Sequence, residues 1–458
     1  MKKQLIIVIV ILSILGLSNV LRAQSFGGGQ DYSLSICTDH TVMSWGYNQF
    51  GQLGNSNYST SNVPIQVNLL TGITAVSAGR NHALALKNDG TVWAWGRNAY
   101  GELGNGNTTN STDPLQVLSL SGVIAIAAGE NFSAAVKSDG TVWTWGRNAY
   151  GQLGNGENTD SNIPVQVSSI TGVTTIAAGY AHVLALKNDG KVWAWGYNAF
   201  GQLGNGNNNS YNVPVEVSVI AEISAIKCGS NHALALKNDG TLWSWGNNSY
   251  GQLGIGNTTH KNVPVQASIA GVTAIAAGNS FSLCLKNDGT VWAWGTNSDG
   301  QLGNGGNTSS SIPVQTNSIS GVIAINAGWY HSMALKQDQT MWTWGDNSHG
   351  QLGNGNTTSS SVPIQTIGLC DVLTSVKEII NDNLVSVFPN PANDYITIET
   401  STGKLNSTYV VLNFMGQEVS TGQIINNKAV IDVHQWSPGV YILKLGEYEN
   451  KAVKLLIN

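Results

Sequence analysis

Residues 172–206 read GVTTIAAGYAHVLALKNDGKVWAWGYNAFGQLGNG. Residues 172–178 form a short run rich in β-branched side chains, and residues 183–186 form a second apolar run. Both suit a pleated, half-buried surface. Asn188-Asp189-Gly190 between them and the next run is a turn signal, and Asp-Gly predicts a two-residue hairpin. Residues 191–195 are a third run. A fourth, residues 213–217, contains Pro214, which a sheet tolerates at its edge and not at its centre. The stretch therefore predicts a four-stranded antiparallel sheet with its last strand outermost. Trp193 and Trp195 lie two apart and leave their strand on one face, while valine and alanine cover the other. Both faces are apolar, so a single sheet of this kind needs a neighbour on each side.

The same pattern recurs along the chain. Trp-Gly appears at Trp45, Trp95, Trp145, Trp195, Trp245, Trp294 and Trp344, spaced by 50 residues five times and by 49 once. A period of that size indicates stacked supersecondary units. Seven sheets arranged radially bury every apolar face and leave no long open edge. The expected fold is all-β: a seven-bladed β-propeller followed by a small C-terminal β-sandwich. The seven repeat tryptophans are read as blade-to-blade packing, and replacing one by alanine would cost about 3–5 kcal/mol.

The ends of the chain divide it further. Lys2 and Lys3 precede a 13-residue apolar stretch, residues 5–17, and a small residue, Ala23. That is the layout of a signal peptide, here residues 1–24, and the stretch is shorter than the roughly 20 residues a membrane span requires. No other segment is long and apolar enough to cross a bilayer, so no span is expected in the mature chain. The propeller is assigned residues 25–376, a polar linker 377–383, and the sandwich 384–458. The first repeat starts abruptly at Ser25-Phe26, and residues 371–376 align with a first strand that has no repeat after it. We expect them to complete blade one beside residues 32–36. That would bring Cys370 near Cys37, where a disulfide would contribute roughly 4–5 kcal/mol through loop closure. The alternative is two unpaired thiols. Cys228 and Cys284 stand at repeat positions otherwise held by alanine.

Residues 85–96, ALKNDGTVWAWG, and the following RNAYGELG resemble the repeat of the regulator of chromosome condensation family, a resemblance that covers about 350 residues of the chain. The resemblance implies a seven-bladed propeller used mainly as a recognition scaffold. The family's eukaryotic founder promotes guanine nucleotide exchange on a small GTPase and binds chromatin. That exchange relies on a wedge-like insertion, for which the near-uniform period here leaves no room. Three stretches near the C-terminus, Val387-Phe388-Pro389-Asn390-Pro391-Ala392, Asn413-Phe414-Met415-Gly416-Gln417 and Ser437-Pro438-Gly439-Val440-Tyr441-Ile442-Leu443, resemble the sorting tail read by the type IX secretion system. The implied partner of residues 384–458 is that machinery, and the implied location is secreted or at the outer-membrane cell surface.

Composition narrows the function. Asp, Glu, Lys and Arg make up 10% of the chain and the net charge is −5. With no basic run to follow a phosphate backbone, nucleic acid is not an expected partner. No G-x-S-x-G, H-E-x-x-H or Walker loop occurs, so no catalytic residue, cofactor or enzyme activity is assigned. A polysaccharide-active enzyme is the alternative. The recurring Gly-Gln-Leu-Gly-Asn-Gly lacks the Lys-Ser/Thr of a phosphate loop and reads as a tight bend. His82, His182, His232 and His331 share one repeat position with Tyr32, Phe132 and Phe281. Aromatic rings substitute freely there, which indicates packing plus one hydrogen bond and no metal.

The remaining signal lies where otherwise uniform repeats differ. One variable loop precedes the histidine position and another follows Trp-Gly; antiparallel order brings both to one face of the disc. Arg80, Arg97, Arg147, Tyr180, Tyr197, Trp329 and Tyr330 are the candidate binding residues there, being of the types that dominate binding hot spots. Phe50, Tyr100 and their equivalents are read as caps on the blades. The expected ligand is a protein or a glycan.

Overall fold

The computed structural model describes residues 25–370, 385–388, 394–400, 407–413, 418–425, 428–436, 439–445 and 452–457. The signal segment 1–24, the stretch 371–376 and the linker 377–383 lie outside the described residues. The chain divides into two compact units, with the division between residues 374 and 375.

The first unit is a seven-bladed β-propeller of seven four-stranded antiparallel sheets, each with its strands in sequence order. In blade four these are Val173–Ala178, His182–Lys187, Val192–Gly196 and Tyr211–Glu216. Pro214 sits in the outermost strand, which pairs on one side only. The hairpin differs from expectation. Leu186 pairs with Val192 and the Lys187 amide donates to Lys191 O, so the loop has three residues, not two. Gly190, at φ +76°, supplies the left-handed position that closes such a loop.

In blade one the innermost described strand is Phe26–Gly28, which pairs with Tyr32–Ile36. Phe26 lies opposite Ser35 as Ile176 lies opposite Ala185, so residues 26–28 match the last three residues of the six-residue inner strands of the other blades. The stretch 371–376, expected to complete this blade, lies outside the described residues.

Trp45, Trp95, Trp145, Trp195, Trp245, Trp294 and Trp344 are wholly buried between blades. Trp195 packs with Phe132, Ala134 and Val136 of blade three and with Val183 and Ala185 of its own blade. Its indole N–H donates to Gln152 O of blade three at 3.0 Å. The same bond recurs at every junction at 2.7–3.0 Å, including Trp45 to Gln351 O, which joins blade one to blade seven. Gly154 makes this contact possible: a Cβ there would stand 2.6 Å from Trp195 Nε1. The inner tryptophans differ, although they share a strand face with the outer ones. Trp193 is half-buried, with Lys187 Nζ 6.0 Å from its ring.

Cys37 and Cys370 form a disulfide, with Cα atoms 5.6 Å apart across 333 residues of chain. Cys228 and Cys284 are unpaired.

The second unit contains two small antiparallel sheets. One has Val385–Phe388, Tyr395–Thr400 and Lys428–Asp432; the other has Glu418–Ile424, Ser407–Asn413, Gly439–Leu445 and Ala452–Ile457. Ile396, Ile398, Val411, Val433 and Leu443 lie in their shared core.

Candidate binding face

Each inner strand ends in a short loop, and the loop after the third strand returns to it. The Tyr197 amide donates to Ala181 O at 2.8 Å, and the equivalent bond occurs in all seven blades. Both variable loops therefore share one face. A second set of backbone bonds runs around the axis. Gln30 N donates to Arg80 O, Arg80 N to Gly129 O, Glu130 N to Gly179 O, and Tyr180 N to Ser230 O. Ser230 N then donates to Asn279 O, Asn279 N to Trp329 O, and Trp329 N to Gly29 O, all seven at 2.9–3.3 Å. This closed belt is made by main-chain atoms alone. The side chains it carries, Gln30, Arg80, Glu130, Tyr180, Ser230, Asn279 and Trp329, differ in every blade.

Most candidate residues gather in blades two to four. Arg80 Nη1 lies 2.6 Å from Glu130 Oε1, its Nε donates to Gln30 Oε1 at 2.6 Å, and its guanidinium stands 5.5 Å from the Trp329 ring. Arg80 is thus engaged from two neighbouring blades. Burial raises the Glu130 carboxyl pKa, and Arg80 opposes that shift. Arg97 bonds Asn131 Oδ1 and stacks between Phe50 and Tyr100, 5.9 and 5.2 Å from their ring centres. Arg147 also stands over Tyr100, 5.0 Å from its ring centre, and has no ion pair among the described residues. Two of the aromatics after Trp-Gly, Phe50 and Tyr100, thus lie against arginines of blades two and three. Tyr197 meets Tyr150 at 4.7 Å and Tyr180 and Phe200 at 6.4 Å each. Trp329 and Tyr330 stand in blade seven with rings 6.4 Å apart, and Tyr330 Oη accepts a bond from Asn279 Nδ2.

The histidines lie beneath this face, fully buried. His82 Nε2 pairs with Ser133 Oγ of blade three at 2.9 Å; His232 and His331 make the equivalent contacts with Ser282 and Ser33. His182 has no partner, because Ala233 stands where those serines do. Burial lowers their pKa values to about 3 for His82, His182 and His232, and to about 4 for His331.

Two residues escaped the sequence reading. Glu102 replaces the glutamine of the other six blades and is buried. Lys227 lines the axial channel. Glu102 is a single departure from its repeat position, and Lys227 is the one charge at a position otherwise held by Gly, Ser, Ala or Asn.

The fold and this face can now be set beside known proteins. The RCC1-like domain family matches residues 115–381, and regulator of chromosome condensation repeats match residues 39–86 and 89–136. The chain belongs to the RCC1-like domain family. A further RCC1 repeat match covers residues 73–102. Human WBSCR16 is similar at 25% identity and a TM-score of 0.64, over 71% of this chain and 93% of that one. Prp20p from Saccharomyces cerevisiae is similar at 24% identity and a TM-score of 0.65, over 76% of this chain and 90% of that one. The yeast RCC1 (Prp20) whose crystal structure was determined with Kap60 gives 24% and 0.65, over 76% of this chain and 87% of that one. The likeness to the yeast proteins is one of fold. No curated protein matches this chain. Residues 386–458 match a secretion system C-terminal sorting domain. The RCC1-like propeller is therefore exported by type IX secretion to the cell surface or extracellular space. Among the described residues no helix is long and apolar enough to cross a membrane.

Proposed function

We propose that this exported RCC1-like propeller is a non-catalytic recognition scaffold that holds a protein or glycan on its variable loop face. The observation that carries this reading is the main-chain belt. Backbone atoms alone close the belt, so its closure places no demand on the identity of Arg80, Glu130, Tyr180 or Trp329. Side chains not needed to close a rigid frame are available for binding. Those present include half-buried Tyr, Trp and Arg, which give large contact area at low entropic cost. The arginine–aromatic stacks hold Arg97 and Arg147 in place before any ligand arrives, which lowers the ordering cost of binding.

The test is an array of surface glycans and exported proteins probed with the mature chain, then with a Trp329→Ala/Tyr330→Ala variant. The variant should keep its thermal midpoint and lose about tenfold or more in affinity, as expected of hot-spot anchors. Equal affinity of variant and parent for the ligand found would remove this face from consideration. Turnover of a polysaccharide by the purified chain would favour an enzyme.

A further inference from the structure

The seven inner strands enclose an axial channel of about 100 Å³, room for several waters. Small side chains and backbone line it. At the register opposite Leu34, Leu84 and their equivalents, the blades place Gly27, Ser77, Ala127, Ala177, Lys227, Ala276 and Asn326. Six of the seven are uncharged, and none of the six is longer than asparagine. Lys227 alone carries a charge, and packing does not ask for it.

Its ammonium group has no partner. Among the described residues no ion pair or hydrogen bond reaches Lys227. The one carboxylate that lines the channel, Glu130, is held by Arg80 at 2.6 Å. Asn326 is also committed: its Nδ2 donates to Phe26 O at 2.7 Å and its Oδ1 accepts from Ala327 N at 2.8 Å. Ser77 Oγ accepts from Ala128 N at 3.0 Å, and its proton has no acceptor in the protein. Lys227 is half-buried; an ammonium without a counter-charge inside a narrow channel is costly, and burial holds Lys227 below the usual lysine range. A small anion beside it would relieve that cost.

We propose that the axial channel is a binding site for one small oxyanion, of carboxylate or phosphate size, held by the Lys227 ammonium. The site lies inside the ring and borders the loop face, with which it shares Glu130, Tyr180 and Trp329. Lys227→Ala supplies the control, since three other blades carry alanine at this register and fold around it.

The full mature chain, with isotope-labelled lysine side chains, is titrated with sodium acetate and separately with sodium phosphate at constant ionic strength. One ammonium resonance, assigned by its loss in Lys227→Ala, should shift saturably while the other lysines drift together. Calorimetry should show binding at least about tenfold weaker in the variant, the loss expected when the only counter-charge is removed. The two anions decide the class: saturation by acetate alone assigns a carboxylate, and saturation by phosphate assigns a phosphate-type ligand. Dextran sulfate, too large for the channel, should not displace the bound ion. A Lys227 signal that drifts without saturating, equal binding by the variant, or displacement by dextran sulfate would each overturn the proposal.

Discussion

Glu102 shows how one residue departs from its repeat. In blade one the equivalent Gln52 accepts the Phe50 amide at 2.9 Å; Glu102 Oε2 accepts the Tyr100 amide in the same way at 2.8 Å. Its other oxygen is buried without a hydrogen bond, and Arg97 Nη1 stands 3.7 Å away. Burial raises the carboxyl pKa from 4.5 to about 7, against the lowering effect of its backbone bonds and Arg97. A raised folded-state value means that the folded protein holds this proton more tightly than the unfolded chain. The stabilisation is complete below about pH 4.5 and is lost as pH rises through about 7. Glu102→Gln should therefore be more stable than the parent at pH 8, by roughly 2–3 kcal/mol, with the gap closing toward pH 4. Denaturant unfolding at a series of pH values measures this. Comparing variant with parent cancels the buried histidines, whose depressed values make both proteins lose stability as pH falls below about 6.5. A gap that does not change with pH would refute the assignment.

At the scale of the element, neighbouring sheets are joined by a small repeated set of contacts: the buried indole, its bond to a glutamine or glutamate carbonyl, and the ring at the histidine position. Ser133 Oγ shows the completed form, accepting from His82 Nε2 at 2.9 Å and donating to Glu102 O at 2.8 Å. Between blades four and five Ala233 leaves His182 Nε2 without the partner it has elsewhere; its Nδ1 is unpartnered as it is in His232 and His331. Ala233→Ser would rebuild the contact seen at three other junctions. We expect a gain of about 1 kcal/mol, the usual net worth of one hydrogen bond, read as a higher unfolding midpoint. Unchanged or lower stability would show that the blade-four junction is packed differently from the others. Much of this was legible in the sequence. The tryptophan spacing placed the indoles, and the mixture of histidine with tyrosine and phenylalanine at one position pointed to packing. The partner serines were not legible, because they belong to the next repeat and align with nothing distinctive.

For the whole molecule the question is what keeps a ring of consecutive sheets closed. Among the described residues each blade is built from one continuous stretch of chain, with no strand exchanged between blades seven and one. The junction instead uses the contacts of every other junction: Trp45 to Gln351 O, Ser33 to His331, and Trp329 N to Gly29 O. The Cys37–Cys370 disulfide is the one covalent bond across it. Closing a loop of that length is worth roughly 5 kcal/mol in the chain-entropy model. A Cys37→Ser/Cys370→Ser variant should fold to the same ring and unfold at lower denaturant, and reduction should bring the parent to the same midpoint. Identical midpoints for oxidised parent and variant would show that the non-covalent junction suffices.

By itself, the sequence determined the class of the fold, the number of blades, the strand that lies outermost and the face on which variation collects. These follow from local periodicity, turn chemistry and the proline position, all of which act over fewer than about ten residues within one repeat. Only the tertiary structure decided which arginines are already committed and which lysine is left alone in the channel. Those outcomes depend on residues from different blades meeting around an axis. Arg80 reads as a free binding residue until Glu130, fifty positions away, is seen beside it. Lys227 reads as an ordinary surface charge until six other strands enclose it.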